Sequence, residues 1–449
     1  MITMSSLRFV QIAFIAVFAE LSSSLINAQD SSSTELVYAL KNGDARSVAA
    51  AIAALPNNSI NGKEIVGQLT LLLNDERTCK EHLMGRETVR ERAWFRMLDL
   101  QPTSVQAILT QVASLESTRA RGLAFEVIAH IGKVDHNAFS QILDYCHDDD
   151  VFVRSRAVSA LNSVGDDSST TVEQFGKLLT DSDPMVRSTV LDALEKRHEH
   201  LSVLIPAIIE LLDDDSVIYI AISNHAARPE KLRGHAARLL AKIGPDAVKA
   251  LPKLKALTEA TNATNVRVWA ATAICKITDP PPPVTLQLLG DLLLVDMDRE
   301  FVQNDAPKAI AELGKMAAPL LEHLERAKKH SAAQIRWGLV DAFFALDPPS
   351  AVRRVLPMMD DKEELVAETV ITAFSSRGIS ERVVIDAYIR ALGNHDGSFD
   401  QPASSAVDAL AKLGAAARLA LPALERLSLE PDISDSLRKD VTLALARIR

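Results

Sequence analysis

The densest group of residues that could bind a metal ion is His198-Glu199-His200. Imidazole nitrogens and carboxylate oxygens are common zinc ligands, but side chains two positions apart do not share one face of a helix. His323 and His330 are seven positions apart and could share a face, yet both lie near the predicted end of a helix. We therefore expect a polar helix end at the first group, solvated histidines at the other two positions, and no bound metal.

Two runs of three aspartates, Asp148–Asp150 and Asp213–Asp215, could supply carboxylates to a calcium ion. Neither run continues with the ligand spacing of a calcium-binding loop. Aspartate also favours the position just before a helix, where its side chain accepts hydrogen bonds from free backbone N–H groups. Both runs are therefore expected to be helix-capping turns.

The chain lacks the motifs of the common enzyme classes. Cys79, Cys146 and Cys275 are scattered, and no pair has metal-ligand or redox spacing, so we expect small apolar core residues. There is no glycine-rich phosphate loop, no nucleophile elbow and no C-x-x-C-H haem site. These absences predict a protein that is not an enzyme, with no catalytic residues and no cofactor.

The elements that must position all of these residues are predicted from an internal repeat. An anchor residue, most often arginine after an apolar residue, is followed by apolar residues three and seven positions later, which mark one face of an α-helix. Successive anchors are 31 to 36 residues apart, except for one interval of 46 residues before Arg233. The eleven anchors are Arg90, Arg121, Arg154, Arg187, Arg233, Arg267, Gln303, Arg336, Ala367, Ala403 and Arg438.

Each anchor is predicted to open the second helix of a pair. Asp181–Pro184 turns the chain between two such helices, because aspartate is a good cap and proline is tolerated at the first helical position. Gly165 and Gly244, eleven positions after their anchors, are predicted helix stops. We therefore predict an all-α fold, an α-solenoid (α-α superhelix) of about eleven or twelve helical hairpins.

These repeats resemble the HEAT-repeat family, in its short bacterial form that is also called bilin-lyase-like. The motifs that carry the resemblance are Arg238–Ala247 followed by Ala250–Pro252, and Ala409–Gly414 followed by Ala420–Leu424. The resemblance covers about residues 80–449 and implies stacked HEAT-like hairpins. Some relatives are enzymes, and deoxyhypusine hydroxylase binds iron through repeated His-Glu dipeptides. Here the dipeptide occurs once, so that activity is not transferred.

The resemblance also implies a ladder between neighbouring repeats. In the family, an aspartate in the inter-helix turn and the arginine of the second helix form it, so the arginines are structural. Matching aspartates lie six positions before their anchors, although Asp361 precedes Ala367 rather than an arginine. The ladder residues predicted here are Asp148, Arg154, Asp181, Arg187, Arg267, Arg336, Asp432 and Arg438.

Lysines nine positions after their anchors are candidates for partner binding. Second helices of HEAT arrays usually line the concave side, so Lys196, Lys242, Lys276 and Lys412 could form a basic stripe for an acidic partner. Alternatively, these lysines complement the dipole in the last turn of each helix. Trp269, two positions after its anchor, is either an exposed binding residue or a partly buried one.

Two segments break the period. The long interval holds an insertion near residues 213–230 that includes the β-prone run Val217–Ile220. Insertions in solenoids often gather on a binding face, but a tolerated loop explains this one as well. Four prolines at Pro280–Pro283 cannot continue a helix and predict a stiff extended connector.

The first 28 residues read as a signal peptide. Arg8 precedes the apolar run Phe9–Ala19, and Ile26-Asn27-Ala28 is a cleavage tripeptide before Gln29. Residues 29–449 would then form the exported solenoid, periplasmic or secreted, with no integral membrane segment after cleavage. The formal net charge of −10 at pH 7 argues against a nucleic-acid partner.

The function predicted from these features is a non-catalytic scaffold that binds a protein partner through the concave or the insertion face. Two alternatives stay open. One is a lyase- or oxidoreductase-type enzyme, or its accessory subunit, built from the same repeat. The other is an envelope protein that only assembles with itself.

Overall fold

The computed structural model describes most of the chain. The described residues are 33–55, 63–82, 85–100, 105–132, 135–223, 226–295, 305–393, 401–431 and 433–449. The signal-peptide prediction for residues 1–28 and the ladder residue Asp432 therefore lie outside the described residues. The chain divides into two compact units, residues 1–199 and residues 200–449.

The first unit consists of helical pairs. Its described helices form five pairs, and in the last four of them the second helix carries an anchor. The helices are α1 (Ser33–Asn42), α2 (Ala45–Ala54), α3 (Lys63–Leu71), α4 (Val89–Leu100), α5 (Val105–Val112), α6 (Thr118–Ile131), α7 (His136–Tyr145), α8 (Val151–Val164), α9 (Ser169–Leu178) and α10 (Pro184–Glu195).

The second unit repeats the same arrangement in seven described pairs, several of whose first helices begin with a short 3-10 turn. The helices are α11 (Ile205–Glu210), α12 (Leu232–Ile243), α13 (Leu251–Leu257), α14 (Thr264–Ile277), α15 (Pro283–Leu293), α16 (Ala306–Leu313), α17 (Leu321–Ala327), α18 (Ala333–Leu346), α19 (Pro348–Val355), α20 (Glu364–Ser376), α21 (Arg382–Ala391), α22 (Gln401–Leu413), α23 (Leu421–Leu429) and α24 (Asp435–Ile448). Together the units hold twelve described pairs, and the predicted helical solenoid is confirmed.

The helices begin and end where the sequence places its capping residues. Asp150 and Asp183 accept hydrogen bonds from the first backbone N–H groups of α8 and α10, as their places in the acidic turns predict. Gly244 ends α12 with a φ of 75°, a left-handed conformation that favours glycine. Gly165 instead ends α8 in extended backbone, with φ −81°. Pro283 is the first residue of α15, so the proline connector is shorter than predicted.

Second helices pack on second helices within each unit, and this stack contains the core. In the first unit α2, α4, α6, α8 and α10 pack in succession, and in the second unit α12 to α24 do so through the even-numbered helices. The residues three and seven positions after an anchor are buried in every repeat except the last, where Leu445 is half-buried; Ala157 and Leu161, for example, are both 0% exposed. Each repeat therefore gains its stability from its neighbours, as expected for a solenoid.

Two β-hairpins are the exceptions to the helical architecture among the described residues. Strands β1 (Thr78–His82) and β2 (Gly85–Thr88) pair antiparallel before α4. Strands β3 (Val217–Ser223) and β4 (Ala226–Lys231) pair antiparallel before α12. Each hairpin takes the place of the short turn between the first and second helices of its repeat. In the part of the chain that the structure describes, no helix has the length and apolar content needed to cross a membrane.

Candidate functional site

Two anchor arginines, Arg154 and Arg336, reach from their own repeat to an aspartate in the turn of the next. Arg154 Nε lies 2.9 Å from Asp181 Oδ2, and Arg154 Nη2 lies 3.1 Å from Asp181 Oδ1. Arg336 makes the same bidentate contact with Asp361, with both distances 2.7 Å. Planar guanidinium and carboxylate groups fit each other in this geometry, which fixes the spacing of neighbouring repeats.

The direction of these contacts corrects one sequence expectation. Asp361 was expected to lack its arginine because Ala367 holds the anchor of its own repeat. Its partner is instead Arg336, the anchor of the preceding repeat. Asp148 follows the same rule, because it lies 3.6 Å from Arg121 Nε of the preceding repeat. The ladder contact therefore joins a turn aspartate to the anchor arginine of the preceding repeat. It does not require an arginine at the anchor of the aspartate's own repeat.

The same arginines also bind the turn of their own repeat. Arg336 Nη1 donates to the carbonyl oxygens of His330 and Ser331, at 2.7 and 2.9 Å. Because a turn before a helix has carbonyl groups that no helix bond satisfies, this contact stabilises it. Other anchors donate in the same way: Arg154 to Asp148 and Asp149, Arg187 to Asp181 and Ser182, Arg267 to Thr258, and Arg438 to Ser428 and Glu430.

Two of the candidate lysines have partners within the protein. Lys276 is half-buried, and its ammonium donates to the carbonyl of Glu312 in the last turn of α16. Lys412 pairs with Asp408, one turn earlier in α22, at 3.1 Å. Lys242 is exposed in the last turn of α12, and Lys196 is exposed in the other unit. The Lys276 contact is that of a lysine that complements a helix dipole, and partner binding by the four lysines stays a prediction.

The neighbour of Lys196 has a structural role that the sequence analysis missed. Arg197 is 4% exposed, and its guanidinium donates to the carbonyl oxygens of Asn162, Gly165 and Asp166 at 2.7 to 3.0 Å. It also lies over the ring of Phe175, 5.3 Å from the centroid. Arg197 therefore caps the C-terminus of α8, where carbonyl groups have no partner within the helix.

Trp269 is a core residue, so its assignment to the partner-binding surface is wrong. The side chain is 2% exposed, and Nε1 donates to Asp305 Oδ2 at 2.9 Å. Arg238 and Lys308 lie over the ring, 5.6 and 5.4 Å from its centroid. The position two residues after the anchor faces the next repeat, not solvent. The indole thus joins α14 to the start of α16, in a repeat whose own anchor is Gln303 rather than arginine.

The two hairpins are equivalent insertions with the same neck. Leu232 N donates to Ser216 O at 3.0 Å, and Val89 N donates to Arg77 O at 3.0 Å. In both repeats the anchor arginine then pairs with an acidic residue of the neck, at 2.7 Å in each case. The two pairs are Arg233 with Asp215 and Arg90 with Glu76.

Of the two insertions, only the second was predicted from the sequence, as extra residues with a β-prone run rather than as a hairpin. No anchor precedes Arg90, so no interval there could reveal extra residues. The neck itself carries a usable signal, because Leu72–Glu76 and Leu211–Asp215 share two leucines followed by acidic residues. The β3–β4 hairpin occupies the insertion predicted near residues 213–230.

The β3–β4 hairpin presents apolar side chains while its base is held rigidly. Tyr219 is 63% exposed and Val217 is 39% exposed, whereas Ile218 between them is 2% exposed. Lys231 bonds to Asp215 in the neck at 2.9 Å, and β4 ends next to α12. Alternation along a strand places Val217 and Tyr219 on one face and Ile218 on the other. The start of β3 is therefore anchored through Ile218 and exposes Val217 and Tyr219 to solvent.

A buried polar pair lies beneath this hairpin. His235 Nε2 and Glu230 Oε2 form a hydrogen bond, and their side chains are 4% and 9% exposed. Glu230 belongs to β4 and His235 belongs to the first turn of α12, so the bond links hairpin to helix. The sequence analysis did not single out either residue, because they become neighbours only through the turn between strand and helix.

The histidines do not form a metal site in the described residues. No group of three histidine, cysteine, aspartate or glutamate side chains is close enough there to hold an ion. His198 and His200 are exposed. His330 was expected to be solvated but is 9% exposed, because its Nδ1 accepts from Ala332 N and its Nε2 donates to Val295 O. This imidazole supports the turn that Arg336 also binds.

The cysteines differ in accessibility, which gives a testable expectation. Cys146 and Cys275 are 0% exposed, and burial raises the pKa of the Cys275 thiol to about 12. Cys79 lies half-buried in β1, and burial raises its pKa as well. In native protein at pH 8, a thiol reagent is expected to modify Cys79 slowly and the other two only after unfolding. Ellman titration of native and urea-unfolded protein, with Cys79→Ser as control, measures this. Rapid reaction of three native thiols would contradict it.

Comparison with known proteins supports the repeat assignment. A family model described as HEAT repeats matches residues 138–228. Among solved structures, the Kap95:Nup1 complex is similar with a TM-score of 0.51 and 12% identity, over 96% of this chain and 65% of that chain. A structure of Kap121p bound to Pho4p gives 0.40 and 14% identity, over 92% of this chain and 48% of that one. This chain thus spans less than two thirds of the length of the Kap95 chain and about half of the Kap121p chain. No curated protein matches the sequence significantly.

Proposed function

We propose that this HEAT-repeat protein is a non-catalytic scaffold that binds a protein partner through the β3–β4 hairpin. The observation that carries the proposal is the exposed apolar face of the hairpin, formed by Val217 and Tyr219. Exposed aromatic side chains on a rigid support are typical of binding sites, because they bury a large area at a small entropic cost.

The chemistry of the strand indicates which kind of partner segment it fits. Residues 217–223 of β3 include no charged residue and are mostly β-branched, aliphatic or aromatic. Lys231, which lies opposite Val217 on β4, is already paired with Asp215, so an acidic segment would lose hydration here without gaining a free partner in that lysine. We therefore propose that an uncharged, extended, apolar segment of the partner covers Val217 and Tyr219.

The compartment is part of the same proposal. The charged start, the apolar run and the cleavage tripeptide within residues 1–28 support export, either to a periplasm or out of the cell. N-terminal sequencing of the protein from its native host tests this point. A chain that begins at Gln29 supports export with cleavage, and a chain that retains Met1 and fractionates with the cytoplasm contradicts export.

The test of partner binding compares three forms of the tagged chain from Gln29 onward. The first is unchanged, the second carries Val217→Ser and Tyr219→Ser, and the third carries Val284→Ser and Leu429→Ser. The control positions are 77% and 83% exposed, against 39% and 63% for Val217 and Tyr219, so the control removes at least as much exposed apolar surface. Each form is used to capture proteins from an extract of the native envelope, and the bound species are quantified by mass spectrometry.

A partner that saturates the unchanged and control forms, and binds the hairpin variant about tenfold more weakly, is the expected result. Equal capture by all three forms would contradict binding through the hairpin. Stoichiometric metal or pigment in the purified chain would contradict the non-catalytic role and favour the enzyme alternative.

A further inference from the structure

A group of cations lies where two first helices of the second unit end, at α17 and α19. Lys328 Nζ donates to the carbonyl oxygen of Arg354 at 3.2 Å, which joins the two ends. Glu325 binds both side chains: Arg354 Nη1 lies 2.7 Å from Glu325 Oε1, and Lys328 pairs with Oε2. Both cations are thus occupied within the protein.

Three further cations adjoin this pair in the sequence, Arg326 and Lys329 on either side of Lys328 and Arg353 next to Arg354, and they have no such partners in the described part of the chain. Arg326, Lys329 and Arg353 are exposed, and none of them forms an ion pair or side-chain hydrogen bond with any residue that the structure describes. Cations in the last turn of a helix complement its dipole. Lys328 and Arg354 already complement these two helix ends, because they contact the Arg354 carbonyl group and the Glu325 carboxylate. The helix dipoles therefore do not account for the three further cations.

The charge at this place is opposite in sign to that of the whole chain. Five cations and the carboxylate of Glu325 lie at the two C-terminal ends, while Glu322 and Asp347 lie at the starts of the same short helices, with Asp347 3.9 Å from Arg354 Nε. The chain as a whole carries a formal charge of −10. A local positive surface in an acidic protein attracts a ligand with closely spaced negative charges and orients its approach.

We propose that Arg326, Lys329 and Arg353 form a docking surface for an acidic segment of a protein. A short run of aspartates or glutamates matches a cluster confined to two helix ends. A nucleic acid, in contrast, carries its charge along many ångströms and would meet the acidic remainder of the chain. The surface is separate from the β3–β4 hairpin, so this inference does not depend on the proposed function.

The test uses fluorescence anisotropy with a fluorescein-labelled peptide of ten residues that alternates glutamate and glycine. A glutamine-for-glutamate peptide and a single-stranded DNA of ten nucleotides are the comparison ligands. The cluster variant carries Arg326→Glu, Lys329→Glu and Arg353→Glu. The control variant carries Lys249→Glu, Lys255→Glu and Lys439→Glu, which changes the net charge equally at exposed positions.

The unchanged chain is expected to bind the glutamate peptide more weakly as salt rises, and the glutamine peptide not at all. The cluster variant should lose at least about tenfold in affinity, and the control variant no more than about threefold. The hairpin variant with Val217→Ser and Tyr219→Ser should bind the peptide normally. A neutral version with Arg326→Gln, Lys329→Gln and Arg353→Gln gives the intermediate loss if the charge reversal disturbs folding.

Three results would overturn the proposal. The first is no measurable binding of the glutamate peptide. The second is an equal loss in the cluster and control variants, which would mean that net charge alone governs binding. The third is tighter, cluster-dependent binding of the DNA, which would identify a nucleic acid as the ligand of this surface.

Discussion

Replacing Arg336 by alanine is expected to lower the free energy of unfolding of the second unit by about 3 to 5 kcal/mol. The residue is 3% exposed, and its guanidinium binds Asp361 of the next repeat and two carbonyl groups of its own turn. Removing it leaves the Asp361 carboxylate, which is 12% exposed, without its cation. Urea unfolding followed by tryptophan fluorescence measures the loss, because Trp337 adjoins the substituted position.

The matched control is Arg382→Ala, whose side chain is 80% exposed and lies 3.9 Å from Asp386. Such a surface pair should change the stability by no more than about 0.5 kcal/mol. Arg336→Lys should recover only part of the loss, because an ammonium cannot form the bidentate contact. Equal stability of the two alanine variants would show that the ladder does not hold the repeats together.

The Arg336–Asp361 pair is also expected to make the free energy of unfolding depend on pH in acid. Hydrogen bonds from Arg336 lower the pKa of Asp361 below its ordinary value of 3.8. A carboxyl whose folded pKa is lowered stabilises the fold fully above its unfolded pKa, and this contribution is lost as the pH falls through the folded pKa. The stability difference between the unchanged chain and the Arg336→Ala variant should therefore be constant at neutral pH and narrow below about pH 3.8.

Replacing Gly122 by alanine is expected to destabilise the first unit by about 1 to 3 kcal/mol through overpacking. Gly122 lies on α6, where this helix packs against α8. A β-carbon at this position would lie 2.1 Å from Phe152 Cε1 and 2.5 Å from Cδ1, well inside van der Waals contact. The backbones must separate or the ring must move. Thermal unfolding followed by circular dichroism measures the shift.

The control is Gly67→Ala in α3, another glycine inside a helix. A β-carbon there would have its nearest neighbour at 3.6 Å, the amide of Gln111. Removing the flexibility of glycine without a clash should stabilise this helix by about 0.5 to 1 kcal/mol. The double variant Gly122→Ala, Phe152→Ala should be no less stable than Phe152→Ala alone. Equal effects of the two glycine substitutions would refute close packing of α6 on α8.

The sequence predicts the helical pairs because their signals are local. Val153, Ala157 and Leu161 share one helix face. Capping aspartates and glycines begin and end the helices through contacts with residues only a few positions away. Such patterns are independent of the rest of the chain. For this reason the sequence alone is enough to predict the helical solenoid and to recognise the resemblance to HEAT repeats.

The sequence does not predict contacts between repeats. Trp269 meets Asp305 across 36 positions, and its burial depends on the offset at which one helix faces the next. Asp361 likewise finds its arginine in the preceding repeat. The β1–β2 hairpin was missed because detecting an insertion requires an anchor on both sides, and Arg90 is the first anchor.

Site-specific photo-crosslinking tests the central claim most directly. p-Benzoylphenylalanine is placed at position 219 of the hairpin or, as control, at position 284 of α15, and the protein is irradiated in its native host. Binding through the hairpin predicts a discrete adduct with one protein from position 219 and none from position 284. An adduct from position 284 but not from position 219 would contradict the hairpin as the binding element.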